Sequence, residues 1–442
     1  MSVQLQKGDK KLLNAWAFYD WANSVYSLVI ASAVFPIFYE QLFSREKIEY
    51  IDFLGFTVKD TALMSFITAF AFLVVAFISP LLSGIADYSG NKKGFLKLFC
   101  YMGALACIGL YWFDLGSLYL SLSLYFFGLV GFWGSLVFYN SYLPDVAYPE
   151  QQDSISAKGY SMGYIGSVIL LILNLAMIMG MMPEMLKIKG TDENPAHLKA
   201  MRISFVMVGV WWILFSQYTY YYLPKGNKNS NKVTRHVLLN GFKELRKVWD
   251  QLKQTTQLKR YLGAFFVYSM AVQTVMLVAT YFGAKEIEWG SDDAKSMGLI
   301  GSILLIQLVA VAGAILTSKL SAKFGNIKTL IGINAVWAVI CIAAFFVTLP
   351  MHFYITAGFV GLVMGGIQSL SRSTYSKMLP ETQDTASFFS FYDVTEKIGI
   401  VIGMVLYGAI DQIFGSMRYS VIFLTLFFVI GIILLARVLK KH

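Results

Sequence analysis

Long apolar runs constrain this chain more than any other feature. The stretches from Ala62 to Leu82 and from Val421 to Ala436 contain no charged residue and few polar ones. About 20 such residues span the ~30 Å hydrocarbon core of a bilayer. Within that core the backbone must satisfy its own hydrogen bonds, which selects helices or closed barrels. The whole chain of 442 residues is 57% hydrophobic and 14% charged, against roughly 25% charged in soluble domains. A water-soluble globule is excluded.

The runs resolve into twelve predicted helices, α1–α12, at about 15–42, 61–85, 95–113, 117–141, 155–182, 203–223, 260–284, 297–318, 328–349, 353–376, 387–410 and 419–437. The first run is too long for a signal-peptide core and lacks a clear small-residue cleavage site, so it reads as a retained helix. An even number of spans puts both termini on one side. Lysines and arginines on that side number 22, against 10 on the other, which predicts cytoplasmic termini. The expected location is an integral position in a bacterial inner (plasma) membrane. Much of the net charge of +10 is therefore topological, and no nucleic-acid partner is implied. The three cysteines lie inside apolar runs, and the four histidines read as loop or terminal residues. Neither a disulfide framework, a metal site nor histidine chemistry within the membrane is expected, and no cofactor is.

The expected organisation is a six-helix lobe over 1–223, a linker over 224–259 and a second six-helix lobe over 260–442. In the linker, Leu238, Phe242, Leu245, Trp249 and Leu252 fall on one helical face amid lysines and arginines. That face suits either an anionic membrane surface or the bundle itself. The two lobes repeat weakly in register. Gly84–Gly90 after α2 answers Lys319–Gly325 after α8, Leu143-Pro144-Asp145 answers Leu379-Pro380-Glu381, and Ile165-Gly166 answers Ile398-Gly399. The offsets are 235, 236 and 233 residues. Internal duplication around a midplane site characterises secondary transporters.

Polar groups inside the runs carry the chemistry. Asp20, Asn23, Ser24 and Ser27 share one face of α1, spaced i, i+3, i+4, i+7. A carboxylate there costs about 3 kcal/mol or more, so it is either functional or bonded to a neighbouring helix. In α10 stand Gln368 and Arg372, and in α11 Asp393, Glu396 and Lys397. Together with Asp20 these five charges would cost roughly 12 kcal/mol or more unpaired, comparable to the stability of a whole protein. They must pair or face a wet cavity. Asp393 and Lys397 are i, i+4, and Arg372 can reach Glu396, the expected partner, or Asp393 in reserve. Asp20 is then the acid without a cation and the expected proton carrier, with Lys158 its one alternative partner. A purely structural role in closing the inner side fits the α10–α11 charges nearly as well.

After α2 the chain reads Gly84-x-Ala86-Asp87-x-x-Gly90-Asn91-Lys92-Lys93. The glycines permit a tight reversal, and Asp87 can meet a helix N-terminus. This resembles the loop between helices 2 and 3 of the major facilitator superfamily, where the aspartate helps latch the inner side. Ala322 replaces it in the second half, which puts a latch there in doubt. Tyr19-Asp20-Trp21-Ala22-Asn23-Ser24, Phe138-Tyr139-Asn140-x-x-Leu143-Pro144-Asp145, Gln368-x-x-Ser371-Arg372-Ser373 and Phe391-Tyr392-Asp393-x-x-x-Lys397 resemble the vacuole-effluxer family of that superfamily. The resemblance implies a secondary transporter exporting small organic solutes, with amino acids the known class.

The expected fold is an all-α integral membrane protein, twelve helices in two pseudo-symmetric six-helix lobes of the major facilitator type. The expected function is proton-coupled movement of a small polar solute by a monomer. The rivals are a multidrug or metabolite exporter and a non-transporting receptor or scaffold. Asp20, Asn23, Tyr139, Asn140, Gln273, Gln368, Arg372, Asp393, Glu396 and Lys397 are the substrate and coupling candidates. Gly84, Asp87, Gly90, Lys92, Lys93 and Asp145 are the gating candidates. Asn174, Gln217, Gln307 and Asn334 read singly as helix–helix hydrogen bonds. Gly159-x-Ser161-x-Gly163 matches a nucleophile-elbow pattern but opens a membrane helix without a histidine partner, and close helix packing explains it better. No phosphate-binding G-x-x-x-x-G-K-[ST] loop occurs, and no catalytic residue is expected.

Overall fold

A computed structural model describes residues 5–183, 187–191, 195–225 and 237–439, with side chains except at 60, 61, 237–241, 292, 293 and 296. Among these residues twelve helices are long and apolar enough to cross a membrane. They are α1 Lys10–Glu46, α2 Ala62–Ser89, α3 Lys92–Trp112, α4 Leu115–Val146, α5 Pro149–Ile178, α6 Ala196–Tyr222, α7 Thr256–Glu286, α8 Met297–Phe324, α9 Asn326–Phe346, α10 Pro350–Met378, α11 Thr385–Phe414 and α12 Met417–Leu439. All twelve match the apolar runs, with ends shifted by a few residues. His197 and His352 fall in the first turns of α6 and α10 rather than in loops. His236 and His442 lie outside the described residues.

Two apolar cores form. One gathers α1–α6 around Trp16, Tyr26, Phe35 and Trp212, and the other gathers α7–α12 around Tyr261, Trp337, Tyr375 and Phe428. The halves meet where α5 packs on α8 and α10 and where α2 packs on α11. Close approach of α5 to α1 depends on Gly159, Gly163 and Gly166. A Cβ at these positions would meet the Asp20 carboxylate, the Ser24 hydroxyl and, at 3.0 Å, the Trp21 ring. Small residues let membrane helices approach, so packing accounts for the Gly159-x-Ser161-x-Gly163 string.

Two local features have no precedent in the apolar pattern. Residues Tyr26–Ala33 of α1 form a π-helical stretch. Pro36 follows it, and a proline both lacks an N–H for the Ser32 carbonyl and crowds it. The wider turn ahead of it takes up that misfit, and the Ser32 hydroxyl donates to the Ser27 carbonyl at 2.8 Å. Between α1 and α2, β1 Tyr50–Phe53 and β2 Phe56–Lys59 form a hairpin around Leu54-Gly55. Both turn residues have positive φ, 52° and 82°, as a two-residue primed turn requires.

The linker helix Val237–Gln254 lies on α2 and touches α7 and α11. Its contact ridge is Val248 and Leu252, both buried, with Leu245 half-buried. Phe242 and Trp249 are exposed, although Trp249 also packs against Phe391 at 5.5 Å between centroids. The single predicted stripe is thus split between bundle and surface. The Leu238 side chain lies outside the described residues.

Candidate functional site

At the face that bears both termini, acids of the first half reach donors of the second. Asp87, near the end of α2, accepts hydrogen bonds from the backbone N–H groups of Ala386 (3.2 Å) and Ser387 (2.7 Å). These are orphan donors in the first turn of α11, where the helix dipole also favours an anion. Gly90 ends α2 at φ 65°, and the Asn91 side chain caps α3 by accepting from Gly94 N–H. The turn so made brings Lys92 to Asp145 of α4 and, at 2.7 Å, to the Thr385 hydroxyl of α11. Lys93 stays within the first half and donates to the Leu223 carbonyl at 2.7 Å. Gly84 is buried within α2.

The second half does have a corresponding tie, built with reversed polarity. Where α8 ends in Ser321-Ala322, the acid comes from the other side. Asp153, one turn into α5, accepts from Ser321 Oγ (3.0 Å) and Asn326 Nδ2 (2.9 Å) and pairs with Lys377 of α10 at 2.7 Å. Asp153, not the residue at 322, supplies the acid of that tie. Asp384, just ahead of α11, pairs with linker Lys247 at 2.9 Å. Hydrogen bonding to that carboxylate raises the Lys247 pKa.

Deeper in the bundle, Asp20 and Arg372 meet across the halves at 3.2 Å. Arg372 is 2% exposed. It makes five hydrogen bonds to four acceptor atoms: Nε donates to Ser156 Oγ (2.9 Å), Nη1 to Asp20 Oδ2 and Asn140 (3.2 Å each), and Nη2 to the same Asp20 oxygen (3.2 Å) and the Ser156 carbonyl (3.0 Å). The Tyr139 hydroxyl donates to the same Asp20 oxygen at 2.8 Å. The rings of Tyr160, Trp16 and Tyr139 stand 4.2, 4.8 and 5.4 Å from the guanidinium. Burying an ion pair is costly unless every donor is satisfied, and this pair meets that condition. The expected Arg372–Glu396 pairing is therefore wrong, and Asp20 is not the acid left without a cation. Lys158 does not serve Asp20 either, since it donates to Asn14 at 2.6 Å. In-helix spacing could not have shown that α1, α5 and α10 converge.

The other three charges form a second cluster. Lys397 pairs with Asp393 at 3.0 Å, as its spacing predicted, and with Glu396 at 3.1 Å. Gln273 of α7 donates to the other Glu396 oxygen at 2.7 Å. Trp133 of α4 lies under the Lys397 ammonium, 3.7 Å from ring centroid to Nζ. One cation faces two acids, so the cluster would carry a negative charge were both acids ionised. Asp393 Oδ2 is buried without a hydrogen-bond partner, and the Glu396 side chain keeps 16% exposure. Between the clusters, the Tyr164 hydroxyl donates to Gln368 at 2.7 Å. Asn23 is buried but joins neither cluster; its Nδ2 has no partner.

Ser156, Tyr160 and Tyr164, with Asp153 and Gly163, form a stripe along α5 that the sequence reading passed over. Steps of three and four from Asp153 would have revealed it. Gln217 meets Tyr101 at the surface, and Asn334 donates to its own helix at Leu330. Asn174 is buried with both amide atoms unpartnered, and Gln307 is half-buried.

These twelve helices, two packed cores and a charged centre between them define a major-facilitator transporter. The E. coli fucose:proton symporter FucP superposes with a TM-score of 0.66 at 15% identity, covering 98% of both chains. The human organic anion transporter MFSD10 (TETRAN) does so with 0.67 at 12%, covering 97% of this chain and 100% of its own. The chain belongs to the family described as vacuole effluxer Atg22 like, whose model matches residues 8–442. The MFS-type transporter YxiO of Bacillus subtilis (strain 168) is 31% identical over 439 residues, 98% of this chain and 96% of that relative. Autophagy-related protein 22-1 of Penicillium rubens is 24% identical over 294 residues, 61% of this chain and 46% of its own length. The match thus spans about half of that relative.

Proposed function

We propose that this protein is a proton-coupled secondary transporter that exports zwitterionic solutes, amino acids first among them, from the side bearing its termini. The observation that carries this reading is the Asp20–Arg372 pair, one charge from each half, closed on itself while the termini-bearing side is shut. When the halves part, both charges lose their partner. An ammonium beside Asp20 and a carboxylate on the Arg372 fork would replace what each has lost. The re-formed pair would then expel the solute as that side closes. The family's description as effluxers and the fold's alternating access support the direction. The charge bias supports cytoplasmic termini, in a bacterial inner membrane. We take the protein to act as a monomer, divided at 1–223, 224–259 and 260–442.

The proton belongs to the second cluster. Both Glu396 oxygens are engaged by donors, whereas Asp393 Oδ2 has none. Asp393 therefore holds the exchangeable proton in this state. Purified protein in proteoliposomes with an imposed pH difference tests the whole reading. Saturable accumulation of labelled amino acids, abolished by a protonophore, is the expected result. Accumulation of other metabolites or drugs instead would favour a different exporter, and no flux across a broad panel would favour a receptor or scaffold.

Asp87 and Asp153 act as two latches of the closed side, with Lys92 and Asp145 bracing the first. Hydrogen bonds to a charged group contribute about 1.5–3 kcal/mol. Asp87→Asn or Asp153→Asn should thus raise thiol-reagent access from the termini-bearing side by roughly 10- to 100-fold. The two share no residue, so their effects should add. Unchanged labelling in both variants would remove the latch assignment.

A further inference from the structure

Phe242, Arg246, Trp249 and Lys253 step by 4, 3 and 4 along the linker helix, with exposed Lys243 beside them. Phe242 is 55% and Trp249 44% exposed. The stripe adjoins the buried ridge that seats the helix on α2, and α2 itself turns Phe66, Phe70, Leu73 and Phe77 outward, where lipid must lie. The Lys253 ammonium is 5.3 Å from the Trp249 ring and 3.9 Å from Asp250. Lys243, Arg246, Lys247 and Lys253 against Glu244 and Asp250 leave this stretch net positive. Large aromatic side chains favour the headgroup level of a bilayer, and basic side chains beside them favour anionic headgroups.

We propose that this stripe is a docking surface for anionic phospholipid headgroups at the termini-bearing membrane surface. Charge complementarity selects that occupant over neutral lipid, and the aromatic pair at the bundle's edge selects a bilayer over a soluble anion. The same helix presents Lys247 to Asp384, just ahead of α11, so it also holds the segment that leads into the first latch. The surface does not depend on which solute is carried.

Native cysteines are all buried, so a cysteine introduced at exposed Gln254 can be labelled selectively with a fluorophore. The full-length protein is reconstituted in phosphatidylcholine vesicles, with or without about one third phosphatidylglycerol, and quenching by headgroup-borne nitroxide lipid is measured. Anionic vesicles should increase quenching at least about twofold. The increase should vanish in about 0.5 M salt, where screening is short-ranged. It should also vanish in Lys243→Gln/Arg246→Gln/Lys253→Gln, since each basic residue contributes roughly a fivefold preference. Equal quenching in both vesicle types, or a difference that survives high salt, would overturn the proposal. The salt series uses only the labelled parent protein, so it decides the matter even if the triple variant fails to fold.

Discussion

Arg372→Ala is expected to open the termini-bearing side. Removing one partner of a buried ion pair costs about 3–5 kcal/mol, because the other charge stays behind without water. Here Asp20 has an escape: parting the halves lets solvent reach it. The cost therefore falls on the closed state alone, a population shift of roughly a hundredfold or more. A cysteine at Ser390, buried on α11 just inside the first latch, should become reactive to thiol reagents in this background. Adding Asp20→Asn should restore much of the closure. Gly159→Ala should imitate Arg372→Ala with every charge in place, since a methyl there lands on the Asp20 carboxylate and lies 3.2 Å from both Arg372 Nη2 and Tyr139 Oη. Strictly additive single and double variants, with Ser390→Cys still unreactive, would show that the pair does not hold the side shut.

Asp393→Asn is expected to abolish accumulation driven by a pH difference and to leave exchange at equal pH largely intact. One proton per cycle supports up to about tenfold accumulation per pH unit, and the variant should fall to none. An asparagine imitates the protonated acid and leaves Lys397 paired with Glu396 alone, a neutral cluster with nothing further to load. Lys397→Met should be worse than either acid replacement, because it leaves two acids against the Trp133 face with no cation. If Asp393→Asn still concentrates solute under an imposed gradient, the proton is carried elsewhere, and Glu396 is the next residue to replace.

The helices and their number were legible because a bilayer leaves little choice: an apolar run of that length must be a span. The Asp393–Lys397 pair was legible for a similar reason, since four residues on a helix fix a distance. Arg372 was not. Its partner lies 352 residues away on α1, and only the meeting of α1, α5 and α10 selects it over Glu396, which is nearer in sequence. Asp153 escaped notice because the predicted α5 began at about 155, which left it in a polar loop where an acid is ordinary. The substitution at Ala322 then suggested a lost latch rather than one rebuilt from the opposite side. Leu54 at positive φ carries no turn signal, so the hairpin had no herald either.

Among the described residues, the acids that reach across the interface, Asp20, Asp87 and Asp153, come from the first half, and the donors they meet there, Arg372, Lys377, Asn326 and the start of α11, come from the second. The halves repeat each other weakly in sequence, and this polarity makes them unlike. Two copies of the first half would bring like charges together, and two of the second would leave donors facing donors. The mate of each half is written in charge. During synthesis the first half emerges with acids that have no counter-charge, and it remains an incomplete socket until the second arrives. Expressed as separate polypeptides in one membrane, the halves should therefore assemble as a mixed pair, with neither forming a stable pair with itself.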